Sequence, residues 1–229
     1  MLALQTVNRY RQMVLLLVVV NVLFAVIPMS MATAAERTIR ILAYGDSLTA
    51  GFGLPQSAAF PVQLERALQQ KGHAVEVINA GVSGDTTASG LDRLDWSIPD
   101  GIDAAILELG ANDALRGLDP ARARTNLDTI IRKLKARRLD VLIAGMTAPR
   151  NWGEAYVTAF DAIFPDLATT HDTLLYPFFL DGVAMRPKLN LGDGLHPNAD
   201  GVAEIVGRIL PSVEALVEKV KARRVANKG

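Results

Sequence analysis

Thr38-Ile39-Arg40-Ile41-Leu42-Ala43-Tyr44-Gly45-Asp46-Ser47-Leu48 is the stretch from which the rest of the chain can be read. Apart from Arg40, its first seven residues are apolar or β-branched. Such a run predicts a strand covered on both faces, and Gly45-Asp46-Ser47 ends it with residues that favour a tight turn. Similar short runs recur downstream at Ala74–Ile78, Ala104–Leu109 and Val141–Ala144, with a shorter fifth at Thr173–Tyr176. Helical spacing separates them. Phe60, Leu64, Ala67 and Leu68 share one helix face, which Gly72 closes; Leu127, Ile130, Ile131 and Leu134 share another after Asp119-Pro120, an N-cap followed by proline at the first helical position. Val202, Ile205, Val206 and Ile209 predict a long last helix. Strands alternating with helices, joined by right-handed crossovers, predict an α/β fold: a three-layer α/β/α sandwich around a mostly parallel five-stranded sheet. No internal repeat or linker divides it.

The composition narrows what such a domain can do. The chain has 229 residues, 24 Lys+Arg against 24 Asp+Glu, half of its residues hydrophobic, and no cysteine. A neutral balance argues against a nucleic-acid binder held by charge. Without cysteine there is no disulfide framework, thiolate-held zinc, iron–sulfur cluster or thiol nucleophile. The average conceals a division. Residues 1–34 contain Arg9 and Arg11, no acid, and a run from Met13 to Ile27 that is apolar except for Asn21; Met31-Ala32-Thr33-Ala34-Ala35 follows. A basic start, an apolar centre and an Ala-x-Ala site predict a secretory signal cut after Ala34 or Ala35, with a retained anchor as the alternative. Export, to a periplasm first and to the medium second, is the expectation. Residues 35–229 then carry 22 bases against 24 acids, a net charge of −2.

In a parallel sheet of this kind, ligands bind beyond the carboxyl ends of the strands. The loops expected there are Gly45–Gly51, Gly81-Val82-Ser83-Gly84-Asp85, Gly110-Ala111-Asn112-Asp113 and, before the last helix, Asp193-Gly194-Leu195-His196-Pro197-Asn198. Each alone is ordinary turn or capping chemistry. Together they supply the parts for acyl transfer. Ser47 is a hydroxyl on a strand-to-helix turn, His196 a base to activate it, and Asp193 a carboxylate to fix the imidazole. Gly84, which allows close backbone approach, the Asn112 amide and the Ser47 N–H are candidate oxyanion donors.

These four blocks, Gly45-Asp46-Ser47-Leu48, Gly84, Gly110-Ala111-Asn112-Asp113 and Asp193-x-x-His196, resemble the SGNH/GDSL hydrolase family in type and order. Glu108–Gly117 and Pro177-Phe178-Phe179-Leu180 resemble more specifically its periplasmic thioesterase I/protease I/lysophospholipase L1 and arylesterase branch. Ala111 departs from the second glycine frequent in that branch, without removing a donor. The resemblance implies a flavodoxin-like SGNH fold over residues 35–229 and a catalytic set of Ser47, Asp193 and His196. It also implies an oxyanion hole of Ser47, Gly84 and Asn112, and a mobile loop at Arg116–Pro120 with Gly117 as a hinge. Expected substrates are acyl esters or thioesters, with no cofactor and no metal. A carbohydrate O-acetylesterase of the same family, or a non-catalytic lipid- or glycan-binding module, is the alternative.

Competing assignments are Ser83 as nucleophile, His73 or His171 as base, and a metal held by Asp46, Asp113, Asp193 and His196, although no His-x-His or His-Glu-x-x-His spacing supports the last. An α/β-hydrolase elbow would need a glycine where Thr49 stands. Phe52, Leu54, Trp152, Phe178 and Phe179 are candidate acyl-lining residues, and Tyr156 lies in the same loops. The basic C-terminus, with Lys219, Lys221, Arg223, Arg224 and Lys228, allows at most weak membrane-surface contact.

Overall fold

The computed structural model describes residues 37–227; the expected signal segment lies outside them, as does Lys228. Five strands form one sheet: β1 (Ile39–Gly45), β2 (Val75–Gly81), β3 (Ala104–Glu108), β4 (Asp140–Ala144) and β5 (Leu174–Tyr176). Their order is β2-β1-β3-β4-β5, and every pairing is parallel. The expected sheet is therefore present and wholly parallel. The runs could be read because β1, β3 and β4 are covered on both faces: Ile41, Leu42, Ala43, Tyr44, Ile106, Leu107 and Leu142 are all essentially inaccessible. At the edge, β2 alternates instead, and Glu76 faces out to meet Arg40 on β1.

Eight helices are described: α1 (Ser47–Ala50), α2 (Phe60–Gln70), α3 (Thr87–Ser97), α4 (Ala111–Leu115), α5 (Pro120–Ala136), α6 (Glu154–Asp161), α7 (Ile163–His171) and α8 (Ala199–Ala226). α2 and α8 pack together on one face of the sheet; α3, α5, α6 and α7 pack in sequence on the other. Asp119 caps α5 as its sequence predicts, its side chain accepting from the Ala121 N–H at 2.9 Å. α3 was not evident from hydrophobic spacing because Thr87–Ser97 is largely polar and includes Gly90. That glycine serves packing: a Cβ there would lie 2.4 Å from Leu109 Cδ1.

No helix among the described residues is long and apolar enough to cross a membrane. Much of the basic C-terminus is engaged within the fold. Arg223 pairs with Asp140, Arg224 with Asp103 and Lys221 with Glu218, while Lys219 donates to the Asp172 carbonyl. Arg223, Arg224 and Lys219 thus tie α8 to other elements, whereas Lys221 pairs within the helix.

The strand order reverses direction between β1 and β3, since β2 lies on one side of β1 and β3 to β5 on the other. The loops after β1 and β3 therefore open a crevice at the switch point. Ser47 and Asn112 stand at its two lips.

Candidate active site

Ser47 is the first residue of α1, directly beyond β1. Asp46 caps this one-turn helix, its Oδ1 accepting the Leu48 N–H at 3.0 Å, and Gly51 ends it in a left-handed conformation. The turn is held from below by Glu108, the last residue of β3, whose Oε2 accepts from the Thr49 hydroxyl at 2.7 Å and from the Asp46 N–H at 3.3 Å. Gly45 is required here for space rather than for turn geometry. A Cβ on it would lie 2.4 Å from the Glu108 carboxyl and 2.2 Å from Thr49 Oγ1.

His196 arrives from a different part of the chain, on the loop between the short helical turn Pro187–Leu189 and α8. The loop is pinned at both ends. Buried Asn190 donates to the Val183 and Arg186 carbonyls, and Asn198 caps α8 by accepting from the Gly201 N–H at 2.9 Å. Within it, Asp193 Oδ1 accepts the N–H groups of Leu195 at 2.9 Å and His196 at 3.0 Å. Asp193 Oδ2 lies 2.6 Å from His196 Nδ1, and His196 Nε2 lies 3.0 Å from Ser47 Oγ. Hydrogen bonds from the two amides and then from the imidazole hold the Asp193 carboxyl down at about 2, so it is ionised throughout the ordinary pH range. An ionised partner at Nδ1 fixes the proton on that nitrogen and leaves Nε2 free to accept from the serine. Phe52 covers the imidazole, the two rings 4.4 Å apart between centroids and inclined by 36°.

Across the crevice, Gly84 follows β2 with φ +88°, a conformation that favours glycine. Asn112 lies in the first turn of α4. Its Oδ1 accepts from Arg116 at 3.2 Å, which orients the amide so that Nδ2 donates to Asp46 Oδ2 at 3.1 Å and to the Asp85 carbonyl at 3.0 Å. Both amide hydrogens are thus in use, and an oxyanion would have to share one of them. Among the described residues, the backbone N–H groups of Ser47 and Gly84 have no acceptor within the chain. Asp113 faces away from this point and ties the loop to the start of α3, accepting from the Thr87 N–H at 2.8 Å and hydroxyl at 2.7 Å.

The residues proposed from sequence alone therefore divide. Ser47, His196 and Asp193 form one hydrogen-bonded series, with Gly84 and Asn112 on the adjacent loops. His73 bonds Glu214 and His171 bonds Asp128, each against a helix rather than in the crevice. Asp46 and Asp113 spend their oxygens on donors of the chain, and no three acidic or histidine side chains among the described residues gather closely enough to hold a metal ion. Phe52 and Trp152 are about half exposed, while Leu54 and Phe178 are partly buried against the core. Phe179, expected to line the groove, is instead fully buried and packs edge-on to Phe60, the ring centroids 4.9 Å apart. Gly117, with φ +61°, lies beneath the Trp152 ring, where a Cβ would come within 2.7 Å. Asp46, Glu108 and Arg116 support the site, a task their sequence context did not reveal: Asp46 read there as a competing metal ligand and Arg116 as part of a mobile loop. The signal available was weak, an Asp before the serine and a Glu ending an apolar strand.

The profile of the GDSL-like lipase/acylhydrolase family matches residues 43–203. The chain belongs to that family of ester-bond hydrolases. It is 36% identical over 198 residues to an arylesterase of Vibrio mimicus, covering 83% of this chain and 98% of the relative. It is 38% identical over 196 residues to the thioesterase 1/protease 1/lysophospholipase L1 of Escherichia coli strain K12, covering 85% and 91%. The solved structure of AlinE4, an SGNH-hydrolase family esterase, is similar with a TM-score of 0.66 at 49% identity, over 78% of this chain and 96% of that one. Gly45-Asp46-Ser47-Leu48 lies within the matched residues.

Proposed function

We propose that this chain is an exported serine esterase that hydrolyses acyl esters or thioesters through Ser47, His196 and Asp193. The observation that carries the reading is the unbroken series Ser47 Oγ–His196 Nε2–His196 Nδ1–Asp193 Oδ2 at the switch point of the sheet. Ser47 Oγ attacks the acyl carbonyl carbon as its proton passes to His196 Nε2, and the carbonyl π electrons move onto oxygen. The resulting oxyanion takes hydrogen bonds from the Ser47 and Gly84 N–H groups and from the Asn112 amide. Collapse expels the alcohol or thiol, which leaves with the proton from His196. Water, deprotonated by the same nitrogen, then attacks the acyl-enzyme and releases the acid and Ser47. Asp193 stays ionised and stabilises the imidazolium in both halves.

Half-exposed Phe52 on the His196 ring and Trp152 over Gly117, with part-buried Leu54 and Phe178, favour an acyl chain over a hydroxylated sugar. Export rests on Arg9 and Arg11, the apolar run Met13–Ile27 and the Ala-x-Ala site. The test is a chain-length series of aryl esters and acyl-CoA thioesters, run on the wild type and on Ser47→Ala with and without EDTA. The proposal expects turnover by the wild type that EDTA leaves unchanged and Ser47→Ala abolishes. Full activity in Ser47→Ala would overturn it. Saturable binding of esters with no turnover by the wild type would favour a binding module.

A further inference from the structure

Glu108 is a buried acid for which the proposed reaction has no task. It stands directly opposite Gly45 in the parallel ladder between β1 and β3, and it has no exposed surface. The missing side chain of Gly45 lets its carboxyl slide beneath the Ser47 turn. There Oε2 accepts two hydrogen bonds, from Thr49 and from the Asp46 amide, whereas buried Oε1 has no partner. The Asp46 carboxyl beside it is also fully buried, but its acceptors are distributed differently, with one N–H donor on each oxygen.

Among the described residues no lysine or arginine pairs with either acid. Arg93 is committed to Asp85 and the Gly45 carbonyl, and Arg116 to Asn112 and the Gly84 carbonyl. The ionisable groups bearing on Asp46 from neighbouring elements are Glu108 below it, Asp85 from the loop after β2, and His196 from above. Two adjacent buried carboxyls without a cation do not both ionise. The acceptor pattern says which of them does. N–H donors on both oxygens suit a carboxylate, and two donors on one oxygen suit the carbonyl of an uncharged acid.

We propose that Glu108 works as a neutral carboxylic acid and a positioning residue: its carbonyl oxygen holds the Ser47 turn through Thr49 and Asp46, leaving Asp46 the single charge that aims the Asn112 amide. Burial, reinforced by the charge on Asp46, raises the Glu108 carboxyl well above the ordinary carboxylate range, in the direction this requires. A proton placed on Asp46 instead would set an O–H donor against the Asn112 amide hydrogens and turn that amide away. The kinetic part of the proposal rests on the esterase reading above; the assignment of the proton does not.

Two experiments test it. In Glu108→Gln the side-chain carbonyl keeps both acceptor contacts without charge, so kcat should stay within about threefold of the wild type, whereas Glu108→Ala should lose about tenfold or more in kcat with KM little changed. Equal losses in both variants would show that a carboxylate is needed and would overturn the proposal. Infrared spectra with carbon-13 glutamate provide the second readout. At neutral pH the wild type should show one protonated-carboxyl band, absent from Glu108→Gln. No such band in the folded wild type would overturn the proposal even if either variant failed to fold. A band found in a protein inactive on every ester would uphold the proton assignment and count against the esterase reading alone.

Discussion

Asp103 and Asp46 are buried carboxyls at opposite ends of the same sheet, and the fold surrounds them differently. Asp103, just before β3 at the amino end, is met by Arg37 at 2.5 Å, by Arg224 at 2.8 Å and by the Arg40 N–H at 3.0 Å. Beside it, Arg223 joins the Asp103 carbonyl to the Asp140 carboxylate. At the carboxyl end, Asp46 and Glu108 lie buried side by side, neither paired with a lysine or arginine among the described residues, and burial pushes Asp46 up to about 6. Ion pairs at one end fasten α8 to the sheet. The acids at the other end carry the turn of Ser47, the proposed nucleophile, and perturbed ionisation of this kind collects at functional sites. Stability and chemistry are thus divided between the two edges, and each edge can be altered separately.

The largest expected effect is at the carboxyl edge. Ser47→Ala should lower kcat/KM for aryl esters by about 10⁴-fold or more, with little change in melting temperature. Asn112→Ala should reduce kcat by about 10²–10³-fold and KM little, as the loss of an oxyanion donor does. A defect confined to KM would instead make Asn112 a ground-state contact. Asp46→Asn should cost about 10–100-fold in kcat, because an amide there can turn a donor toward Nδ2 of Asn112.

Asp46 also separates activity from stability along the pH scale. Its folded-state value of about 6 exceeds its ordinary 3.8, so the proton is held more tightly in the folded protein. The resulting contribution to stability is full below about 4 and is lost as pH rises through about 6. Activity should run the other way and fall as Asp46 gains its proton. An acid limb of the kcat profile left unchanged in Asp46→Asn would remove Asp46 from this role.

The smallest effect on turnover belongs to the amino edge. Asp103→Ala should leave kcat unchanged while lowering stability by on the order of 2 kcal/mol, since its partners Arg37 and Arg224 keep some access to water. Thermal unfolding followed alongside ester hydrolysis measures both. A large loss of kcat in this variant would contradict the division between the edges.

The sheet was legible in the sequence because strands buried on both faces leave continuous apolar runs, as in Ile41–Tyr44 and Ala104–Leu107. The candidate site residues could be picked out because turn glycines, Ser47 and Asp193-x-x-His196 punctuate those runs where a parallel sheet places its ligands. Three features were not. α3 is polar because it packs Gly90 and Thr87 against its neighbours rather than a row of leucines. Phe178 and Phe179 read alike as adjacent aromatics, and only the layer packing sends Phe179 to Phe60. The contact between Gly45 and Glu108 joins residues sixty-three apart; it follows from strand register, which no local pattern encodes.

The central claim is that Ser47 is the nucleophile. Its most direct test is to label the folded protein with an organophosphonate ester and to map the adduct by peptide mass spectrometry, with His196→Ala in parallel. The account predicts one phosphonyl group on Ser47, formed fast in the wild type and slowly in the variant. An adduct on Ser83, or none on a wild type that still hydrolyses esters, would contradict it.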